Sequence, residues 1–418
     1  MIREQSTVVI VGAGQGGMQA ATSLRDEGFQ GRIQLIGNEP CAPYQRPPLS
    51  KSFLAGAVEP EELLLEEPAF FARENIEFLS GEHAVDIDRA GRRVKLASGL
   101  DLPYDELILA TGSCNRQLPC LSEPLKGVIS LRTVEDATML KSHLVEAKQV
   151  VIVGGGFLGL EAATMAVGMG ARIHVVEAMG RLMERVISPI TSGFFLARHE
   201  QCGIGFSFGR LVSALHDVDG NVTAVELDDG TLLPADLVIA SIGVVPNTDL
   251  AVASKLEVNN GILVDEMLRT SDPAISAIGD CAAFPYALDQ GERMRLESVQ
   301  NAVDQARYIA QRLTGQLQPY EQVPIFWSEQ AGVRLQIAGV AKRDDDCVLR
   351  GDPDSGGFSV FRYRQDRLVC VESVNRPADH MTGRRLLASK RMPTREQAVD
   401  PDFDLRQFSM ATIEPQQV

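Results

Sequence analysis

The sequence predicts an α/β protein with two open parallel-sheet units of one design, followed by a C-terminal α+β region. Twice, a short apolar strand runs into a glycine turn and then a helix. Each time an acidic residue closes the strand that follows. After about residue 320 the pattern changes to alternating strands and a basic helix-like run.

Thr7-Val8-Val9-Ile10-Val11 is apolar and β-branched without alternation, the pattern of a strand buried on both faces. Gly12-Ala13-Gly14-Gln15-Gly16-Gly17 follows at once, and Met18 to Leu24 reads as a helix. Gly12, Gly14 and Gly17 stand at G-x-G-x-x-G spacing. There the first glycine makes the tight turn, the second lets backbone approach a pyrophosphate, and the third lets helix and strand pack closely. Free N–H groups and the positive end of the helix dipole then face the phosphates. A purely structural glycine turn is the alternative. Gln149 to Val153 repeats the strand, Gly154, Gly156 and Gly159 repeat the spacing, and Leu160 to Met169 repeats the helix. Glu39 closes Arg32 to Ile36, and Glu177 closes Arg172 to Val176. Each lies roughly 20 residues beyond its glycines, where an acid holds a ribose hydroxyl. Two complete fingerprints predict two Rossmann-type dinucleotide-binding domains.

Composition narrows the class. Apolar residues make up 44% of the chain and charged ones 23%, which describes a globular rather than a disordered protein. A net charge of −16 argues against nucleic acid or an anionic membrane as partner. No apolar run reaches the length of a membrane-spanning helix. Met1 to Ser6 leads straight into the first strand without a signal-peptide core, so a cytoplasmic location is expected. Cys41, Cys114, Cys120, Cys202, Cys281, Cys347 and Cys370 form no C-x-x-C or C-x4-C pair, so neither a redox dithiol nor a zinc site is expected. Cys41 reads as a small half-buried loop residue, with a lone peroxidatic thiol as the alternative.

Along the chain, residues 1–115 form the first unit. Beyond Glu39, the prolines of Pro43-Tyr44-Gln45-Arg46-Pro47-Pro48-Leu49-Ser50-Lys51 suit a helix start, predicting a short helix from Leu49 to Leu54. Arg46 and Lys51 are either solvated charges or cofactor contacts. Leu107 to Gly112 is a strand ending in a tight turn at Thr111-Gly112. Residues 116–247 carry the second unit, with an Asp229-Gly230 hairpin and a strand from Ala235 to Gly243. In both units a glycine stands at the carboxyl end of a strand, where ligands collect in open α/β sheets. Residues 248–320 read as more of the first unit. Ala274 to Ile278 is a strand stopping at Gly279-Asp280, where Asp280 suits sugar or ribityl hydroxyls or a helix N-cap. Ser298 to Leu313 is helical in period. Residues 321–418 form the C-terminal α+β domain, with Phe358 to Tyr363 a strand, Arg384 to Arg391 the basic run, and Met410 to Val418 a frayed tail.

Taken together, Val8–Gly17, Pro47–Lys51, Leu109–Gly112, Leu131–Thr133, Gly154–Glu161, Gly279–Ala282, Glu297–Val299 and Phe326–Ser328 carry a resemblance. The chain resembles the FAD-dependent, NADH-using ferredoxin reductases of oxygenase systems over almost its whole length. That resemblance implies a glutathione-reductase-like fold, in which an FAD domain (1–115 and 248–320) is interrupted by an NAD domain (116–247). It implies FAD at Gly16, Asn38, Lys51, Ala84, Arg132, Asp280 and Val299, with the pyrophosphate over Gly12–Gly17. Asn38 departs from the acid of many relatives, leaving Glu39 to hold the ribose; Glu329 stands where relatives commonly have aspartate. Lys51 would lie by the flavin N5–C4a edge and pair with Glu161, stabilising the anionic reduced ring. Trp327, the only tryptophan, would lie against the isoalloxazine, although its residue type alone reads as a buried core aromatic.

Electron counting supplies the mechanism. NADH yields two electrons together, a [2Fe-2S] ferredoxin accepts one at a time, and a flavin does both. The expected activity carries electrons from NADH through FAD to a ferredoxin that feeds a cytochrome P450 or ring-hydroxylating oxygenase. Glu177 suits the free 2′-hydroxyl of NADH and repels a 2′-phosphate, whereas Arg181 and Arg185 nearby act the other way. An acidic reductase needs a local basic patch to dock an acidic ferredoxin, with Arg293, Arg295, Arg384, Arg385, Lys390 and Arg391 as candidates. Two other readings stand beside this one: an NADH oxidase or peroxidase using Cys41, and a redox-sensing interaction protein of the apoptosis-inducing-factor type.

Overall fold

The computed structural model describes residues 5–316 and 318–410. They form two compact units. The first comprises the chain up to Pro48, Val58–Cys114 and Val244–Gln322; the second comprises Leu49–Ala57, Asn115–Gly243 and the chain from Val323 onward.

In the first unit, five parallel strands lie in the order Ile275–Ala277, Glu106–Leu109, Thr7–Val11, Arg32–Gly37 and Ile76–Ser80. Thr7–Val11 is central because its side chains have nowhere polar to point: Val8, Val9 and Ile10 are 0% exposed. Helices Gln15–Asp26 and Val299–Thr314 pack on this sheet. Ile275–Ala277 pairs in register with Leu107–Leu109, which returns the 248–320 segment to the sheet of the N-terminal strand. A three-stranded antiparallel sheet, Ala84–Asp88, Arg93–Leu96 and Asp101–Pro103, adds Ile87, Val94 and Leu96 to the same core.

The second unit repeats the design. Its parallel strands run Gly205–Phe208, Arg172–Glu177, Gln149–Val153, Leu237–Ala240 and Val128–Ser130. A separate antiparallel sheet carries Ile325–Gln330, Val333–Gly339, Arg367–Val374, Gly357–Arg364 and Asp346–Asp352 in that order. One apolar cluster joins this sheet to helices Phe157–Gly168 and Pro189–Gln201 through Leu160, Phe195, Leu335, Phe358 and Val360.

Several elements differ from the sequence-based expectation. In place of the helix expected over Leu49–Leu54 there is a 3-10 turn at Pro47–Ser50, opened by the two prolines. One further turn is closed by Ala55 N–H to Lys51 O at 2.9 Å. The strand expected from Ala235 to Gly243 is Leu237–Ala240; before it the Ala235 N–H bonds to the Thr223 carbonyl of the strand Asn221–Leu227, and after it Gly243 turns the backbone with φ +95°. Of the basic run, Arg384 to Ala388 are helical, in the last turns of Pro377–Ala388, and Lys390 has a left-handed backbone. Of the expected frayed tail, Met410 closes the helix Leu405–Met410, and residues 411–418 lie outside the described residues.

Candidate functional site

Each glycine turn is shaped by its three glycines in three different ways. Gly12 has φ +108°, and a Cβ there would stand 2.1 Å from the Ala110 carbonyl oxygen. A Cβ on Gly17 would meet the Gly12 carbonyl oxygen at 1.8 Å, so the helix reaches the strand only because that atom is missing. Gly14 has nothing within 4 Å of that position. It is the N-cap of Gln15–Asp26 and offers no side-chain cap to the first N–H groups of the helix. Gly154, Gly159 and Gly156 repeat the pattern: a Cβ would lie 2.2 Å from the Ser241 carbonyl and 2.3 Å from the Gly154 carbonyl at the first two, and nothing is within 4 Å at the third. Two uncapped helix N-termini behind open glycine faces fit the pyrophosphates of two dinucleotides.

Around the first turn, Gly16 packs against Ala302 and Ile278, whose side-chain atoms would lie 3.6 Å from a Cβ there. Val299 opens the helix that carries Ala302. Asn38 is exposed, while Glu39 accepts from the Tyr44 hydroxyl at 2.5 Å and also pairs with Arg46. Arg46 stacks over the Tyr44 ring, 5.2 Å from its centroid. Thr111 and Asn247 clasp each other: Thr111 Oγ1 donates to the Asn247 carbonyl at 2.7 Å and Asn247 Nδ2 to the Thr111 carbonyl at 2.8 Å. This clasp holds Gly112, whose carbonyl accepts the Asn247 N–H at 3.0 Å. Asp280 is no helix N-cap; Ser298 caps Val299–Thr314, and Asp280 instead accepts from the Ser113 hydroxyl at 2.7 Å. Ala84 is buried at the start of its strand.

The second unit holds Gly154, Gly156, Gly159, Glu177, Gly243 and Arg132, together with Lys51, Glu161 and Trp327. Glu177 Oε2 accepts the Gly155 N–H at 2.6 Å and Oε1 the Met179 N–H at 2.7 Å, which fixes the carboxylate at the glycine turn. Arg181 spends its guanidinium on backbone, donating to the Ile187 carbonyl at 2.8 Å and the Glu184 carbonyl at 3.0 Å. Arg185 is exposed, and its Nη2 would stand 3.7 Å from a Cβ on Gly243. Arg132 N–H donates to Asp136, whose carboxylate boxes the cap of the helix Val134–Glu146.

Lys51 and Glu161 form an ion pair, Nζ to Oε2 at 2.8 Å. Glu161 is 6% exposed on the helix Phe157–Gly168, and its carboxylate also accepts from the Ser50 hydroxyl at 2.8 Å and the Ser328 hydroxyl at 2.6 Å. Trp327 is 37% exposed, not the buried core aromatic its residue type suggests. The strand Ile325–Gln330 alternates, so Trp327 and Glu329 lie on its open face and Ser328 and Gln330 on the buried one. The two serines were not singled out by sequence reasoning, although each adjoins a residue that was. Period-two alternation from Trp327 was the signal that could have found Ser328.

Cys41 is half-buried, and burial together with the Glu39 carboxylate pushes its thiol up. A peroxidatic cysteine needs the opposite, a thiol driven toward thiolate.

The fold and the twin cradles therefore define a protein that binds two dinucleotides. The chain belongs to the pyridine nucleotide-disulphide oxidoreductase family, whose model matches residues 6–306; the Reductase C-terminal family model matches residues 325–409. It is an FAD-dependent oxidoreductase with NAD as its second cofactor. It is 47% identical over 400 residues to rhodocoxin reductase of Rhodococcus erythropolis, covering 96% of this chain and 93% of that one. Its structure resembles the ferredoxin reductase for the CYP199A2 system from Rhodopseudomonas palustris, with a TM-score of 0.94, 45% identity, and coverage of 97% and 100% of the two chains. It also resembles the reductase in the covalent putidaredoxin reductase–putidaredoxin complex, with a TM-score of 0.93, 38% identity, and coverage of 96% and 98%. Among the described residues, no helix is long and apolar enough to cross a membrane.

Proposed function

We propose that this protein passes electrons from NADH through FAD, one at a time, to a [2Fe-2S] ferredoxin that serves a cytochrome P450 or another oxygenase. The observation that carries the reading is the pair of open glycine cradles, each followed by its own acid. Gly12, Gly14 and Gly17 would bind the FAD pyrophosphate, with Gly16, Asn38, Glu39, Arg46, Ala84, Thr111, Gly112, Asp280 and Val299 of the same unit completing its site. Gly154, Gly156 and Gly159 would bind the NADH pyrophosphate, with Glu177 accepting from the ribose hydroxyls and Gly243 at the neighbouring strand end. The domains proposed are 1–115 with 248–320 for FAD, 116–247 for NAD, and 321–418 at the C-terminus. Their support is the return of Ile275–Ala277 to the N-terminal sheet.

When bound, FAD supplies the conversion of a two-electron donor's charge into single electrons. The chain's own residues set the conditions for it. Lys51, placed by the family resemblance beside the flavin, would stabilise negative charge on the reduced ring, and Glu161 with Ser50 and Ser328 would hold the ammonium in position. Arg132 is proposed as a further FAD contact, and Trp327 as lying against the isoalloxazine, on the same resemblance. The acceptor would dock at a local basic patch. Of the six candidate cations, Arg295 pairs with Glu297 and is only 10% exposed, Arg293 donates to backbone carbonyls, and Arg391 donates to the Phe408 carbonyl. Arg384 and Arg385, on the helix Pro377–Ala388, are the better candidates.

The test is anaerobic mixing of the yellow holoenzyme with NADH or NADPH, followed by ferredoxin. The reading requires fast bleaching by NADH and reoxidation by two equivalents of ferredoxin. Slow bleaching by both nucleotides would overturn it.

A further inference from the structure

Glu161 is the end of a hydrogen-bond line that starts deep in the second unit. Ser328 Oγ donates to Glu161 Oε1 at 2.6 Å, and Gln330 Nε2 donates to Ser328 Oγ at 3.2 Å. His199 Nε2 lies 2.7 Å from Gln330 Oε1. An amide oxygen only accepts, so His199 carries its proton on Nε2 when the amide is assigned this way. Every bond in the line therefore points toward the carboxylate that holds Lys51. Ser328, Gln330 and His199 are all 2% exposed or less.

Simple satisfaction of core polar groups explains the line less well than it first suggests. His199 sits among rings, with Phe195 and Phe206 each 6.5 Å away between centroids. Its Nδ1 is buried with no hydrogen-bond partner among the described residues. Burial pushes the imidazole down, which keeps it neutral and donating through Nε2. A phenylalanine would fill such a place without an orphaned nitrogen, so the imidazole is retained at a cost. The return is a polarised chain: in a dry interior, aligned hydrogen bonds strengthen one another.

We propose that Ser328, Gln330 and His199 are positioning residues that set the orientation and the charge of Glu161 and, through it, the field of the Lys51 ammonium. The inference rests on the placement of Lys51 beside the flavin made above. Donors on Glu161 spread its negative charge. With fewer donors, the carboxylate draws the ammonium closer and cancels more of its field, so the reduced flavin is held less well. The strand Ile325–Gln330 thus does two things at once, carrying Trp327 on one face and the donor to Glu161 on the other.

The test compares FAD midpoint potentials of the holoenzyme and of Ser328→Ala, Ser328→Thr, Gln330→Met, His199→Phe and Lys51→Met variants. FAD content and melting temperature are measured alongside. Ser328→Ala should weaken stabilisation of the reduced form about tenfold, which for a two-electron couple is a shift of about 30 mV to more negative potential. Gln330→Met and His199→Phe should shift it the same way by successively less, and Ser328→Thr, which keeps the hydroxyl, should restore it. If Lys51→Met shifts the potential while Ser328→Ala and Gln330→Met do not, whatever their melting temperatures, the positioning role is refuted and the placement of Lys51 stands. If none of the variants, Lys51→Met included, shifts it, that placement falls and the inference with it.

Discussion

Replacing Glu177 tests how the coenzyme is chosen. Its carboxylate would accept from the adenosine ribose, and a hydrogen bond to a charged acceptor contributes about 1.5–3 kcal/mol. Glu177→Ala should therefore lower kcat/KM for NADH roughly ten- to hundredfold. The loss of its bonds to the Gly155 and Met179 N–H groups adds to the damage, because both help shape the turn that faces the pyrophosphate. Removing the carboxylate also removes the repulsion toward a 2′-phosphate, which by itself invites NADPH. Yet Arg181, the nearest cation in sequence, has its guanidinium committed to the Ile187 and Glu184 carbonyls. Arg210, whose N–H bonds to the Glu177 carbonyl, is paired with Asp229, and Arg185 is exposed to full solvent screening. The expected outcome is an enzyme poor with both coenzymes, with NADPH gaining no more than severalfold. Steady-state kcat/KM for each nucleotide, with ferricyanide as acceptor, measures this directly. A single Glu177→Ala variant that used NADPH as well as the parent uses NADH would refute the reasoning about Arg181.

Three further outcomes are expected. Glu372 is 0% exposed and accepts from Arg362, the Ser188 N–H and hydroxyl, and the Thr191 hydroxyl, so Glu372→Gln should cost about 3–5 kcal/mol; a change under about 1 kcal/mol in urea unfolding would contradict that. Cys41→Ser should leave NADH-dependent reduction of ferredoxin within about twofold, because the thiol is pushed up rather than activated; loss of turnover would revive the peroxidatic reading. His380 is 5% exposed and its imidazole is pushed down to about 4 from 6.5 by burial, with Arg384 and Arg334 adding to the effect. Below pH 6.5 the unfolded chain binds a proton there that the folded chain refuses, so stability is intact above that pH and falls as the pH drops toward 4. The loss is up to about 3 kcal/mol at 1.36 kcal/mol per unit. His380→Leu should flatten that part of the pH–stability curve, and an unchanged slope would argue against a neutral buried imidazole.

The parallel sheets were legible because their chemistry is local. Thr7–Val11 and Gln149–Val153 have the ends the sequence suggests, since a run of β-branched residues that meets a glycine turn leaves little freedom over where the strand stops. Elements whose limits are set by tertiary partners were read less well. Leu237–Ala240 is four residues of a longer apolar run, because Ala235 bonds to Thr223 in another sheet and Gly243 turns with φ +95° beyond the other end. The prolines start the Pro47–Ser50 turn, but the chain beyond it continues in separate turns, with Ala55 bonded to Lys51 and Gly56 to Phe53, rather than in one helix.

The ion pair shows why a site is harder to read than a fold. Ser50 and Ser328 lie 111 and 167 positions from Glu161, so no spacing rule links them, and only family resemblance could suggest that Lys51 meets Glu161. What local pattern does fix is the face on which each neighbour lies. Once Trp327 is known to face outward, period two sends Ser328 and Gln330 inward, and a buried serine hydroxyl must find an acceptor. Within reach of that strand, packed on the same apolar cluster, is the helix that begins at the second glycine turn. Its first turns supply a carboxylate at Glu161, whose burial beside apolar Leu160 and Ala162 would be costly without donors. The Ser328 bond meets the strand's need for an acceptor and joins Lys51 and Ser50 in meeting the helix's need for donors. For that reason Ser328→Thr should be tolerated, and Ser328→Val, which fills the space without a hydroxyl, should not.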